Sequence, residues 1–143
     1  MSRTHIPAIL RRLAYERAVG RCEYCQMPER FSFALHQIDH IIAEKHGGAT
    51  LADNLALSCI LCNKHKGSDL ASLDPLTGEI TPLFHPRSRN WLEHFTLEAN
   101  GIMVSPTAEG RATIRLLQMN QAERVEERRL LLTSGFWLAQ MSS

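Results

Sequence analysis

The four cysteines of the chain form two pairs with the spacing of metal ligands. Cys22 and Cys25 make one Cys-x-x-Cys pair, and Cys59 and Cys62 make the other. Each pair bends its chain so that both sulfurs face one ion, and four thiolates suit tetrahedral Zn²⁺ without leaving a position for water. The alternative, a thioredoxin-like redox motif, needs only one pair within a βαβ pattern that is not seen here. We therefore predict a structural zinc ion held by all four cysteines.

Residues with acid–base and metal-binding side chains lie between the two pairs and just after the second. Hydrolysis of a phosphodiester needs an activated water and a cation for the developing charge. His40 can act as a general base near neutral pH, and Asn54 can orient its ring by a hydrogen bond. Asp39 and Asn63 offer hard oxygen ligands, which favour Mg²⁺ or Mn²⁺. Taken singly, each of these residues also fits a surface pair or a turn cap.

The order and spacing of these residues resemble the HNH nucleases. The resemblance covers about residues 21–67 and is carried by Arg-Cys-Glu-Tyr-Cys, Asp-His-Ile-Ile-Ala-Glu-Lys-His-Gly-Gly, Asn-Leu-Ala-Leu and Cys-Asn-Lys-His-Lys-Gly. It implies a ββα-metal fold, with His40 as general base, Asn54 as its orienting residue, and Asp39 with Asn63 as ligands of the catalytic metal. A zinc-clipped scaffold of this family can also bind nucleic acid without cutting it.

Two positions depart from the common family pattern. Many HNH motifs have proline where this chain has Ala43, and histidine where it has Asn63. An amide oxygen at the second position favours magnesium over zinc or nickel as the catalytic metal. The tail segments 74–78 (Asp-Pro-Leu-Thr-Gly) and 84–87 (Phe-His-Pro-Arg) also resemble small bacterial HNH proteins, so we expect one HNH domain over residues 1–143.

Basic side chains around the proposed site predict contacts with the phosphate backbone. Such contacts position a nucleic acid without reading its sequence. The candidates are Lys45, Lys64, His65, Lys66 and Arg87, with His36 and His46 as further candidates.

Local sequence patterns predict an α+β fold. In the first half they indicate a helix that is capped by Thr4 and has an apolar face of Ile6, Ile9, Leu10, Leu13 and Ala14. They also indicate strands at 35–42 and 55–57, and a helix at 60–65 that ends at Gly67. In the second half they indicate a turn at 74–78, a strand at 79–84, a hairpin turning at Asn100-Gly101, and two C-terminal helices packed on the core. We expect Ser105 to cap the first of these helices, and Asn120 with Glu123 to form a capping box for the last.

Bulk composition sets the class of protein. The 143 residues are 44% hydrophobic and 22% charged, with a net charge of +1. These values are ordinary for a soluble domain, so a polyanion site has to be a local patch. No apolar run approaches a membrane span and no signal peptide is visible, which predicts a cytoplasmic protein with no membrane partner. The expected partner is DNA, RNA stays open, and the oligomeric state is undetermined. A third alternative is an interaction protein held by zinc.

Overall fold

The computed structural model describes residues 5–137, which group into two compact units. The first comprises the described residues up to Leu70 together with His85–Ser88, and the second comprises Ala71–Phe84 and the described residues from Arg89 onward. The single-domain organisation expected from the chain length stays a prediction. Within residues 5–137, no helix is both long and apolar enough to cross a bilayer.

The first unit is built around one β-hairpin followed by a helix. Helix α1 spans Ala8–Arg17, strand β1 spans Gln37–His40, strand β2 spans Leu55–Ser58, and helix α2 spans Ile60–Lys66. Strands β1 and β2 are antiparallel, with Gln37 opposite Ser58 and His40 opposite Leu55. The predicted order of strand, loop, strand and helix is confirmed. Strand β1 is shorter than the predicted 35–42.

Helix α1 buries a narrower face than its sequence suggests. Ile6 and Ala14 are buried, whereas Ile9 is 73% exposed and Leu13 is 41% exposed. The packed face continues to Arg17, whose guanidinium donates to the carbonyls of Ala52 and Leu55. These two bonds supply donors to the carbonyls of Ala52 and Leu55 and tie the helix to the start of β2. The N-cap position is held by Pro7 without a side-chain bond, and Thr4 lies outside the described residues.

The second unit contains two hairpins and three helices. The elements are β3 (Ala71–Leu73), β4 (Ile80–Pro82), α3 (Trp91–His94), β5 (Thr96–Leu97), β6 (Met103–Val104), α4 (Ala108–Leu116) and α5 (Ala122–Thr133). Strand β3 pairs with β4, and β5 pairs with β6, both antiparallel. Both predicted turns therefore close hairpins. Strand β3 and helix α3 were not predicted, since three or four residues carry too little periodicity to be recognised.

The predicted caps of the last two helices are wrong. Thr107, not Ser105, holds the N-cap of α4 and accepts from the Gly110 N–H. Asn120 does not cap α5. Its amide instead accepts from the Met103 N–H and donates to the Met103 carbonyl, both at 2.8 Å. The amide therefore serves the edge of β6, and α5 begins after Gln121.

Candidate functional site

The four cysteine sulfurs form a buried cluster. The Sγ atoms of Cys22, Cys25, Cys59 and Cys62 all lie within 4.8 Å of one another. The sulfurs of Cys25 and Cys59 are 3.7 Å apart. Zn–S bonds of about 2.3 Å in a tetrahedron place sulfurs about 3.8 Å apart, so the cluster has the size of a zinc site.

The backbone around the cluster also suits thiolate ligands. Cys22 Sγ accepts from the Cys25 N–H, and Cys59 Sγ accepts from the Cys62 N–H, each at 3.4 Å. Burial raises the pKa of Cys22 and Cys62 well above the usual thiol value. Four thiolates in this setting need a compensating cation, and the donor set fits Zn²⁺.

The two residues between Cys22 and Cys25 tie the first cysteine pair to the β-hairpin. The Glu23 N–H donates to the Leu57 carbonyl, and the Glu23 carboxylate accepts from the Leu57 N–H. The Tyr24 hydroxyl donates to Asp39 Oδ2 at 3.1 Å. The cysteine cluster therefore fixes the position of both strands.

Arg87 lies beside the cysteine cluster and forms an ion pair with Glu23. Burial, with a smaller contribution from the charge of Arg17, lowers the pKa of Arg87 to about 10. We expected Arg87 to extend a track of phosphate contacts. The structure instead places its guanidinium against the carboxylate that holds β2, because that acid needs a counter-charge.

Asp39 is held in an internal network. Its Oδ2 lies 3.1 Å from the ammonium of Lys66, and the side chains are 7% and 2% exposed respectively. Lys66 also donates to the His40 carbonyl at 3.3 Å. Burial raises the pKa of Asp39, while Lys66, the Tyr24 hydroxyl and His40 act in the opposite direction. Lys66 is thus an internal partner of Asp39, whereas the sequence suggested a surface contact with phosphate.

Asp39 and His40 are neighbours on β1, and successive side chains of a strand point to opposite faces. The Asp39 carboxylate meets α2 through Lys66. On the same side, the Gln37 amide oxygen accepts from Asn63 Nδ2 at 2.5 Å. The His40 ring instead meets the loop that follows β1. Its Nε2 lies 2.9 Å from Thr50 Oγ1, and the residue is 5% exposed.

Asn54 acts on the loop between the strands. Its Oδ1 accepts from the Ile42 N–H, and its Nδ2 donates to the carbonyls of Ile42 and Ala49, all at 2.9 Å. We expected Asn54 to bond directly to the His40 ring. In the structure it instead fixes the loop that carries Thr50, a residue that the sequence analysis missed. A hydroxyl in the glycine-containing loop after Asp-His was the only available signal.

Gly48 is required by the same loop. A Cβ atom at this position would lie 1.7 Å from the Ile42 carbonyl oxygen and 2.8 Å from Asn54 Nδ2. The backbone at this position approaches Ile42 and Asn54 so closely that no side chain fits there. Glycine therefore allows Asn54 to bridge the loop.

The remaining candidates differ in accessibility. Lys45, His46 and Lys64 are exposed, and His65 is half-buried. His36 is buried and its Nε2 lies 2.8 Å from the Met27 carbonyl oxygen, so it faces the interior. Lys45, His46 and Lys64 are accordingly the predicted phosphate contacts that lie exposed to solvent.

The oxygen donors for a second metal are Asp39 and Asn63. Carboxylate and amide oxygens suit Mg²⁺ or Mn²⁺. Asp39 Oδ2 already serves Lys66 and Tyr24, and the Asn63 amide nitrogen serves Gln37. The oxygens left for a cation are therefore Oδ1 of each residue, and the Asp39 carboxylate would share its charge with Lys66.

Comparison with known proteins gives one positive result. Residues 22–69 match the family model of the HNH endonuclease domain. Comparison with curated proteins and with solved structures gave no significant match. The match begins at the first cysteine of the cluster, contains both strands and α2, and ends just beyond Lys66. Residues 22–69 therefore match the HNH endonuclease family and contain a four-cysteine cluster compatible with zinc.

Proposed function

We propose that the protein is a metal-dependent endonuclease that hydrolyses phosphodiester bonds of DNA. The observation that carries this proposal is the placement of His40 at the end of β1 against Thr50, in a loop fixed by Asn54. A catalytic base has to be held in one orientation, and this hydrogen bond restricts the His40 ring in that way. Four thiols that need a reducing environment support a cytoplasmic location.

In the proposed reaction, the His40 imidazole accepts a proton from a water molecule, and the resulting hydroxide attacks phosphorus. The bond from phosphorus to the leaving oxygen breaks, and that oxygen takes a proton from solvent. A Mg²⁺ or Mn²⁺ ion held by Asp39 and Asn63 would supply electrostatic stabilisation of the phosphate and the leaving oxygen. The exposed ammonium groups of Lys45 and Lys64 attract the polyanion backbone.

A second candidate function is a non-catalytic, zinc-dependent nucleic-acid-binding module. The ion pair between Lys66 and Asp39 favours this alternative, because a cation already neutralises the proposed metal ligand. A module that only binds would keep the zinc and the exposed lysines without needing a free carboxylate.

A plasmid cleavage assay separates the two functions. Zinc-loaded protein is incubated with supercoiled DNA and Mg²⁺, Mn²⁺ or EDTA, and nicked and linear products are quantified. We expect metal-dependent cleavage that falls about 10²–10⁴-fold in His40→Ala, since general base catalysis contributes that much. The exposed His5→Ala is the matched control and should cleave as the wild type does. Gel shifts with DNA and RNA of the same sequence run in parallel.

Each outcome selects one function. Intact plasmid in every metal, with a clear gel shift, would support the binding module over the nuclease. Neither cleavage nor a gel shift would contradict both. Wild-type cleavage by His40→Ala would remove His40 from the mechanism.

A further inference from the structure

The geometry points to Thr50 as the positioning residue of His40, with its hydroxyl accepting from Nε2–H so that Nδ1 is the nitrogen that takes the proton from water. This inference rests on the proposed nuclease function. Thr50 Oγ1 lies 2.9 Å from His40 Nε2. Within residues 5–137, this is the only hydrogen bond to the His40 ring.

The position of Thr50 is set by the loop that carries it. Asn54 donates to the carbonyl of Ala49, the residue just before Thr50, and bonds Ile42 through both its N–H and its carbonyl. On the other side of Thr50, the Asn54 N–H donates to the Leu51 carbonyl at 2.9 Å. The backbone of Thr50 is therefore held from both sides by one asparagine.

The Thr50 side chain is also restricted. A β-branched residue has few χ1 choices, so a fixed backbone leaves the hydroxyl few directions. Asn54 thereby acts on His40 through two links: its amide fixes the loop, and the loop presents the hydroxyl. This replaces the direct contact between Asn54 and the ring that the sequence suggested.

The tautomer follows from the chemistry of a base. A neutral imidazole carries one N–H and one lone pair. If the lone pair were on Nε2, the Thr50 hydroxyl would donate to it, and Nδ1, which would then carry the hydrogen, could not accept a proton from water. With the hydrogen on Nε2, Nδ1 is free to accept. Thr50 Oγ1 then accepts from Nε2–H before and after proton transfer, so the step needs no rearrangement.

The test combines NMR with kinetics. Long-range ¹H–¹⁵N spectra of zinc-loaded protein report which ring nitrogen of His40 carries the hydrogen. We expect Nε2–H in the wild type and in Thr50→Ser, and a tautomer mixture in the near-isosteric Thr50→Val. We expect kcat for plasmid nicking to fall up to about 10²-fold in the valine variant, with KM unchanged, because misplacement of a catalytic group has costs of this size. Serine should restore most of kcat.

Controls keep the inference falsifiable. Thr96→Val changes an exposed threonine of the second unit and should alter neither readout. Zinc content and backbone spectra check that each variant folds, and Thr50→Ala replaces the valine variant if that variant loses zinc. An Nδ1–H tautomer in the wild type, or an unchanged tautomer and kcat in Thr50→Val, would overturn the inference. If the wild type does not cleave DNA, the proposed function fails, while the NMR result still decides whether Thr50 sets the ring.

Discussion

The ammonium nitrogen of Lys66 lies 3.1 Å from Asp39 Oδ2, and both side chains are buried. This ion pair joins the last residue of α2 to β1 close to the cysteine cluster. It also means that the carboxylate expected to bind a catalytic cation already has a positively charged partner. The structural role of Asp39 and its proposed role as a metal ligand are therefore coupled through one lysine.

Removing Lys66 should destabilise the first unit. Lys66→Met leaves the Asp39 carboxylate buried without its counter-charge, a change that typically costs about 3–5 kcal/mol in free energy of unfolding. Urea unfolding of zinc-loaded protein measures the loss. Lys64→Met, on the same helix but exposed, should change stability by less than about 0.5 kcal/mol. The double variant Asp39→Asn with Lys66→Met should recover part of the loss, and strictly additive losses would show that the pair is not coupled.

Changing the proposed ligands of the second metal should alter the metal requirement of cleavage. Asp39→Ala should raise the Mg²⁺ or Mn²⁺ concentration at half-maximal rate, and Asn63→Ala should raise it less, because only Asp39 carries a charge. Metal titration of plasmid nicking measures both shifts, with zinc content monitored to confirm that the cysteine cluster stays loaded. Full-rate cleavage in buffer free of divalent metal, with zinc still bound, would contradict a metal held by these residues.

Zinc should hold the first unit together. We expect one zinc ion per chain by elemental analysis, and we expect Cys59→Ser or a strong chelator to unfold this unit, because the cluster joins the hairpin to α2. Circular dichroism melts with and without chelator measure the effect, and Ser88→Ala serves as a control that should leave zinc content unchanged. Disulfides between these cysteines, or absence of zinc in protein prepared with the metal, would refute the assignment.

Loss of the Asn54 side chain should loosen the loop without removing the base. Asn54→Ala leaves one N–H and two carbonyls of the loop without their partner, and each buried unpaired group costs about 1–3 kcal/mol. We expect a lower melting temperature and a smaller loss of cleavage than in His40→Ala. The exposed Asn100→Ala is the matched control. Cleavage as weak as in His40→Ala, in a protein that melts normally, would assign Asn54 a direct chemical role instead.

The second unit contains an ion pair between buried Asp74 and half-buried Arg111 that should make its stability depend on pH. Asp74 accepts from Arg111 Nε and Nη2, both at 2.9 Å, and the pKa of Asp74 lies well below its usual value, mainly because of Arg111. The ionised Asp74 therefore stabilises the folded state at pH values above the unfolded-state pKa of about 3.9. This stabilisation is lost as the pH falls from that value through the lower folded-state pKa.

Asp74→Asn should therefore be less stable than the wild type at pH 7, and the difference should shrink as the pH is lowered below about 4. Unfolding followed by tryptophan fluorescence measures this, since both tryptophans, Trp91 and Trp137, belong to the second unit. The exposed Glu98→Gln should show no such trend. A difference that stays constant from pH 7 to pH 3 would exclude an ionic origin.

The sequence alone determined the cysteine cluster, the hairpin and α2. Cysteine spacing, strand-forming residues and the stop at Gly67 are local features, and local geometry follows from them directly. The cysteines identified the cluster because two Cys-x-x-Cys pairs have the spacing of metal ligands.

Tertiary structure decided which polar groups meet. Lys66 turned inward to Asp39, Asn54 bonded the loop instead of the ring, and Thr50 became the partner of His40. Spacing along the chain does not encode these choices, because each side chain has several partners of matching chemistry. The fold selects among them by bringing one within about 3 Å and by burying the group, which makes an unpaired alternative costly.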